Sequence, residues 1–151
     1  MDIFELIKTD HRKVEEIFSA IESTKTSKTL DKHFNQLYKE LSLHAQVEEL
    51  TFYPTIRNHE GTEELLEEAE EEHTEVKVML EQMKSMDSSS KEFKEKLSQL
   101  KEAVQHHVQE EEEEVFPQIR QMMSTEELKQ LASEFQEVKS TLQEQMSVAS
   151  R

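Results

Sequence analysis

The chain has 151 residues, a formal net charge of −16 and no cysteine. This length fits one domain with a single hydrophobic core, and the absence of cysteine excludes disulfides, thiolate metal sites and cysteine catalysis. The negative charge opposes binding to a nucleic-acid backbone or to an anionic membrane surface, so neither is an expected partner.

The composition predicts an all-α chain. The sequence has only one glycine and two prolines, which break helices, and it is rich in Glu, Lys, Gln and Leu, which favour them. The first predicted helix begins near Ile3 and ends near Ile21, and His11 occupies one position of its apolar stripe. This helix is amphipathic with an early acid, unlike a signal peptide. No stretch reaches the roughly 18 apolar residues of a membrane span. We therefore expect a cytoplasmic protein.

The second predicted helix carries its inward residues over positions 30–52. Two of these inward positions hold His44 and Glu48 instead of apolar side chains. A polar segment with the only glycine follows, and the third helix then has its apolar stripe over positions 66–83. His73 takes the missing place in that stripe. Each predicted helix so far therefore turns at least one polar residue inward.

The fourth predicted helix follows a capping box at Ser89 and Glu92 and has its stripe over positions 93–115. His107 and Glu111 lie on the stripe. Of the five consecutive glutamates in this helix, only Glu111 is expected to face inward, and the others are expected to face solvent. The histidine next to His107 is expected to be a bystander or a hydrogen-bond donor to a ligand.

Short polar loops between these four helices predict an up-down-up-down four-helix bundle over about residues 3–121. An additional C-terminal helix, at about 125–146, carries no candidate ligand and is expected to pack on the bundle or to mediate self-association. We expect the whole chain, 1–151, to form one domain, as a monomer or a homodimer. Pro54 and Pro117 predict a kink just after each inward pair, since proline cannot donate to the preceding helical turn.

The polar residues form a repeat. His11 and His44 are 33 positions apart, and His73 and His107 are 34 apart. In each half, the second histidine is followed four residues later by a glutamate, which places both side chains on one face of the helix. Two packed hairpins would therefore bring the six residues to one level of the core. The set consists of His11, His44, Glu48, His73, His107 and Glu111.

Six polar residues in a core need a physical explanation. A single core histidine is usually a hydrogen-bonded structural residue, but that does not account for six in register. A buried carboxylate is costly without a cation or hydrogen-bond donors. Imidazole nitrogen and carboxylate oxygen suit iron, zinc or manganese. The ligand count fits two metals, each with two histidines and two bridging carboxylate oxygens, and an oxo or hydroxo bridge would leave a sixth position open.

These residues resemble the hemerythrin family, in its bacterial branch of HHE cation-binding proteins. The resemblance rests on the order His, His-x-x-x-Glu, His, His-x-x-x-Glu, on "HAQVEELTFYP" and on "HHVQEEEEEVFP". It implies a non-haem centre of two iron ions in a left-handed bundle. By position, His11 and His44 would bind one iron, His73 and His107 the other, and Glu48 with Glu111 would bridge them.

One departure from the oxygen carriers of that family bears on function. The carriers have a fifth histidine four residues after the one on the third helix, where this chain has Lys77. They also have Asp where this chain has Glu111. Without the fifth histidine, both irons keep room for a ligand. The set with four His and two Glu is similar to that of bacterial proteins implicated in iron-centre repair and nitric oxide chemistry.

Three functions follow as hypotheses. The favoured one is a protein that binds or senses a small diatomic ligand, oxygen or nitric oxide, or handles iron under oxidative or nitrosative stress. The second is an enzyme that reduces nitric oxide or peroxide at the same iron pair, or an iron-centre repair protein. The third is a metal-free helical module for protein interaction. Whether the protein is an enzyme stays open at this point.

Overall fold

The computed structural model describes residues 2–149, and all regular secondary structure in this range is helical. The predicted all-α fold is confirmed. The helices are α1 (Ile3–Glu22), α2 (Ser27–Leu50), α3 (Phe52–Arg57), α4 (Glu63–Lys84), α5 (Lys91–Glu110), a π-helical turn (Glu111–Val115), α6 (Phe116–Met122) and α7 (Thr125–Ala149).

The long helices pair as two hairpins. Helix α1 packs on α2, and α4 packs on α5, and α2 contacts α4 across the two hairpins. Helix α7 lies against α1 and α2, as expected of a helix that packs on the outside of a bundle. None of the helices within residues 2–149 is long and apolar enough to cross a membrane.

Side-chain caps explain where several helices begin. Asp2 accepts a hydrogen bond from the backbone N–H of the third residue into α1, at 2.9 Å. The cap of α5 is Ser90, one residue after the predicted Ser89. Ser124 and Glu127 exchange hydrogen bonds at the start of α7 as a capping box. Each cap satisfies backbone donors that the first turn of a helix leaves free.

Both prolines are associated with a helix irregularity, and the structure defines its form. Pro54 has no N–H for the carbonyl group of Leu50, and α2 ends at Leu50. Thr51 then takes φ −123° and ψ −64° before α3 begins. Before Pro117, the chain forms the π-helical turn, in which the N–H of Phe116 bonds to the carbonyl of Glu111. Each irregularity begins within three residues of an inward glutamate.

The core has two apolar clusters. One contains the start of α1, the end of α2 and buried residues of α3, α6 and α7. The other contains the second half of α1, the first half of α2, and the facing parts of α4 and α5. The six polar residues predicted from the sequence lie in α1, α2, α4 and at the α5 end, between these clusters. A polar layer therefore divides the core.

Candidate metal centre

All six predicted residues are buried in this layer. The relative exposure of Glu48 is 0% and that of Glu111 is 2%. The structure thus brings together the side chains that the repeat predicted to meet.

Each glutamate lies between histidines of the two hairpins. Glu48 Oε1 is 3.0 Å from His44 Nε2 and 3.4 Å from His73 Nε2. Glu111 Oε1 is 3.2 Å from His11 Nε2, and its Oε2 is 3.5 Å from His107 Nε2. Both carboxylates therefore contact histidines of both hairpins.

The donor atoms form two groups, each compact enough for one metal ion. The first contains His11 and His44 with Glu111, and the second contains His73 and His107 with Glu48. Within each group, one donor atom from each residue lies within 4.8 Å of the others. These are the same histidine pairs that the hairpin positions predicted.

Several donor atoms at the centre make no hydrogen bond. They are Nε2 of His11 and His44, both carboxylate oxygens of Glu48, and Oε1 of Glu111. Such buried atoms are costly, because they have lost water and form no hydrogen bond, although carboxylate and imidazole atoms lie 3.0 to 3.4 Å apart. Nitrogen and oxygen donors that converge without hydrogen bonds are what a bound cation requires. The residues present therefore fit a metal centre.

A second ring of carboxylates orients the four imidazoles. Each Nδ1 atom contacts an acid: His11 contacts Glu112 at 2.7 Å, His44 contacts Asp10 at 3.0 Å, His73 contacts Glu49 at 3.2 Å, and His107 contacts Glu72 at 2.7 Å. A carboxylate only accepts, so these contacts place the proton on Nδ1 and direct Nε2 toward the centre. Carboxylates in this role raise the basicity of metal-binding histidines.

Sequence reasoning missed these four acids, although each adjoins an inward residue along the chain. Asp10 and Glu72 directly precede His11 and His73, and Glu49 and Glu112 directly follow Glu48 and Glu111. The expectation that Glu112 faces solvent was wrong. In a chain so rich in glutamate, an acid next to a ligand carries little signal, so only the fold identifies it.

Charges within the centre shift the pKa values of its residues. Burial would lower the pKa of His44, but the carboxylates of Glu48 and Asp10 outweigh burial and hold it well above its usual value. Burial likewise opposes the shift at His73, where Glu48 and Glu49 raise the pKa to about 9. For Glu48, burial is outweighed by His44 and His73, and its pKa lies well below its usual value. The carboxylates thus attract positive charge to the imidazoles.

Tyr53 is a further residue at the centre. An aromatic residue before proline most often serves packing, but the Tyr53 hydroxyl lies 3.1 Å from His73 Nε2 and donates to Glu111 Oε2 at 3.3 Å. Burial, Glu48 and Glu111 together raise its pKa well above the usual value. The phenol therefore keeps its proton and acts as a neutral hydrogen-bond donor.

Two nearby residues remain outside the centre. The side chain of His106 is 64% exposed, and its Nε2 lies 3.0 Å from Glu110 and 3.4 Å from Glu72, so it contacts the acid that orients His107 and supplies no atom to the centre. Lys77 is exposed and lines a groove with Glu49 and His73. The position that holds a fifth histidine in the oxygen carriers thus supplies no ligand atom here.

A small cavity adjoins the four histidines. Its volume is about 40 Å³, and apolar residues form most of its wall. The apolar residues are Val14, Leu41, Ala45, Val76, Val104 and Val108. Because a cavity of about 10–15 Å³ already holds one water molecule, this cavity admits an uncharged molecule of a few atoms.

The chain matches the family model described as the hemerythrin HHE cation binding domain over residues 2–119. It is 36% identical over 146 residues to a protein of Nostoc sp. named DNA nickase. That alignment covers 97% of this chain and 41% of the relative, so the chain spans less than half of that protein. It is also 34% identical over 139 residues to an uncharacterised hemerythrin-like protein of Schizosaccharomyces pombe, over 91% of this chain and 68% of the relative.

The fold is similar to that of a solved structure from Mycobacterium kansasii, described as a hemerythrin HHE cation binding domain-containing protein. The superposition has a TM-score of 0.82 and covers 100% of this chain and 95% of the other. Sequence identity is 19%, so this similarity supports the fold and nothing further.

Proposed function

The chain belongs to the hemerythrin HHE cation-binding family, and on that premise we propose that it holds two iron ions that bind a small diatomic ligand, oxygen or nitric oxide. The observation that carries the proposal is the set of buried donor atoms without hydrogen bonds, shared between two compact groups. Protein interiors rarely retain such atoms unless a bound ion or water satisfies them.

Six residues would hold the metals. His11 and His44 would bind one iron, and His73 and His107 the other. Glu48 and Glu111 would bridge the pair, since each carboxylate lies within 3.5 Å of a histidine from both hairpins. In support of this assignment, each group contains two histidines from one hairpin and one glutamate from the other.

Bound iron would supply one-electron redox chemistry and an open coordination position. The protein's own contribution is the surroundings of the centre, because the cavity of about 40 Å³ next to the histidines has a largely apolar wall. The Tyr53 hydroxyl lies beside the histidines, where it is buried and donates its one proton to Glu111. A small uncharged molecule fits the apolar cavity.

An enzyme that reduces nitric oxide or peroxide at the same pair is the second candidate. The observation that favours it is Tyr53, whose hydroxyl proton lies beside the centre. Stopped-flow mixing with ligand and reductant separates the two: a binding protein forms one stable adduct, whereas an enzyme consumes the reductant over many cycles.

The name of the Nostoc relative raises DNA nicking as a further activity. That name belongs to a protein of which this chain spans 41%. The formal net charge of −16 opposes contact with a phosphate backbone. We therefore do not extend that activity to this chain.

Metal analysis of protein purified from iron-replete cells tests the proposal. We expect two irons per chain in the wild type. His44→Ala and His107→Ala should each lose iron, because each removes a donor from one group. His33→Ala is the matched control, since this histidine of α2 belongs to neither group and the variant should keep full iron content. Less than one iron per wild-type chain would contradict the proposal, and so would full iron content in both histidine variants.

A further inference from the structure

Helix α7 makes a charged contact with the second ring of carboxylates, the acids that orient the four imidazoles. Lys139 Nζ lies 2.5 Å from Asp10 Oδ1, and the other oxygen of Asp10 lies 3.0 Å from His44 Nδ1. Phe135, one turn earlier in α7, packs edge-on against the His44 ring with centroids 6.4 Å apart. A residue of the last helix is thus connected to a predicted iron ligand through a single carboxylate.

Asp10 differs from the three equivalent acids. Its side chain is 6% exposed, against 14% for Glu72, 31% for Glu112 and 49% for Glu49. In the described part of the chain, the ion pairs of those three acids are with histidines. Asp10 pairs with a lysine as well as with a histidine. A carboxylate as buried as Asp10 needs both of its oxygens satisfied.

Within residues 2–149, helix α7 packs mainly on the first half of the repeat. It packs on α1 and α2, which carry His11 and His44. On the other half, Glu72 borders an open groove between α4 and α5, beside Glu68 and His106. The two iron positions therefore have the same ligand types but different surroundings.

We propose that Lys139 is a positioning residue that fixes Asp10 against His44 and so stabilises iron at the His11–His44 position only. The lysine holds Oδ1 of Asp10, which leaves Oδ2 aligned with the Nδ1–H group of His44. That alignment directs His44 Nε2 toward the centre. Without the ammonium group, Asp10 keeps one unpaired oxygen and can rotate away from His44.

This inference rests on the proposed function for its iron readout. The variants are Lys139→Gln and Lys139→Met, with Lys139→Arg as the conservative replacement. Lys129→Gln is the matched control, because it removes an exposed lysine from the same helix. We load each protein with ferrous iron and follow its release to a ferrous chelator.

We expect one of the two irons to leave about tenfold faster in Lys139→Gln and Lys139→Met, within the range found for partners of metal ligands. The other iron should leave at the wild-type rate, and Lys139→Arg and Lys129→Gln should match the wild type. If Lys139 only stabilised the fold, its replacement would accelerate the release of both irons together. Equal acceleration of both, or no change in either, would overturn the proposal.

A second readout needs no iron. In chelator-treated protein with ¹⁵N-labelled histidine, nuclear magnetic resonance reports the Nδ1–H group of each buried imidazole. We expect Lys139→Gln to shift this signal and speed its exchange with solvent at His44, while the His107 signal stays unchanged. An unchanged His44 signal would overturn the inference even if iron binds. A wild type without iron would instead contradict the proposed function and leave this test intact.

Discussion

Each histidine at the centre lies between two carboxylates, one at each ring nitrogen. For His11, Nε2 is 3.2 Å from Glu111 and Nδ1 is 2.7 Å from Glu112. The inner acid is in place to share a metal, and the outer acid fixes the ring and its tautomer. The same arrangement recurs at the other three histidines. Glu48 is the inner acid of His44 and His73, Glu111 is also that of His107, and each histidine has its own outer acid.

The outer acid at His11 gives a prediction for a single residue. Glu112→Gln should weaken iron binding by about 10- to 100-fold, because an amide is a weaker acceptor for the Nδ1–H group than a carboxylate. Competition with a chelator of known affinity measures the change. Glu113→Gln is the control, since this neighbouring glutamate is exposed and should bind iron like the wild type. Equal affinities for the two variants would refute the role of Glu112.

A bridging acid gives a prediction about stability. Adding ferrous iron should raise the unfolding temperature of the wild type, because a ligand that binds only the folded state contributes about 2.7 kcal/mol at 100 times its dissociation constant. Glu48→Gln should show little of this rise, since its amide cannot bridge two cations. Differential scanning calorimetry measures it, again with Glu113→Gln as the control. A full rise in the Glu48 variant would count against a bridging role.

Among the helices, the apolar period gave the segments and the inward faces correctly, since long amphipathic helices carry a strong signal. The irregular turns were harder to predict from the sequence. Proline at Pro54 and Pro117 indicated a break, but the break at Thr51 and the π-helical turn depend on which backbone bonds the packed core retains. Likewise, the apolar stripe of α7 did not reveal that Phe135 would lie against His44.

Helix α7 is part of the core, which gives a prediction for this element. Phe135 is fully buried in the cluster that also contains the start of α1 and the end of α2. Phe135→Ala should therefore lower the free energy of unfolding by about 3 to 5 kcal/mol, as for other large buried residues. Urea denaturation measures the loss, and Ser133→Ala on the exposed face of α7 serves as the control. A loss below about 1 kcal/mol would show that α7 is only loosely attached.

For the whole molecule, duplication explains both the fold and the site. Each hairpin supplies one histidine and one His-x-x-x-Glu pair, and packing of the hairpins joins the two sets in a layer between apolar clusters. The sequence reveals the six inward residues because they interrupt apolar stripes. It places Tyr53 near the site by helix position, but it does not reveal the outer acids, because their role depends on contacts between helices. Helix α7 then makes the two halves unequal.

The most direct measurement is anomalous diffraction at the iron edge from crystals of the iron-loaded protein. The proposed centre predicts two peaks, one bounded by His11 and His44 and the other by His73 and His107, with Glu48 and Glu111 between them. No peak within this layer, or iron bound only to surface carboxylates, would contradict it.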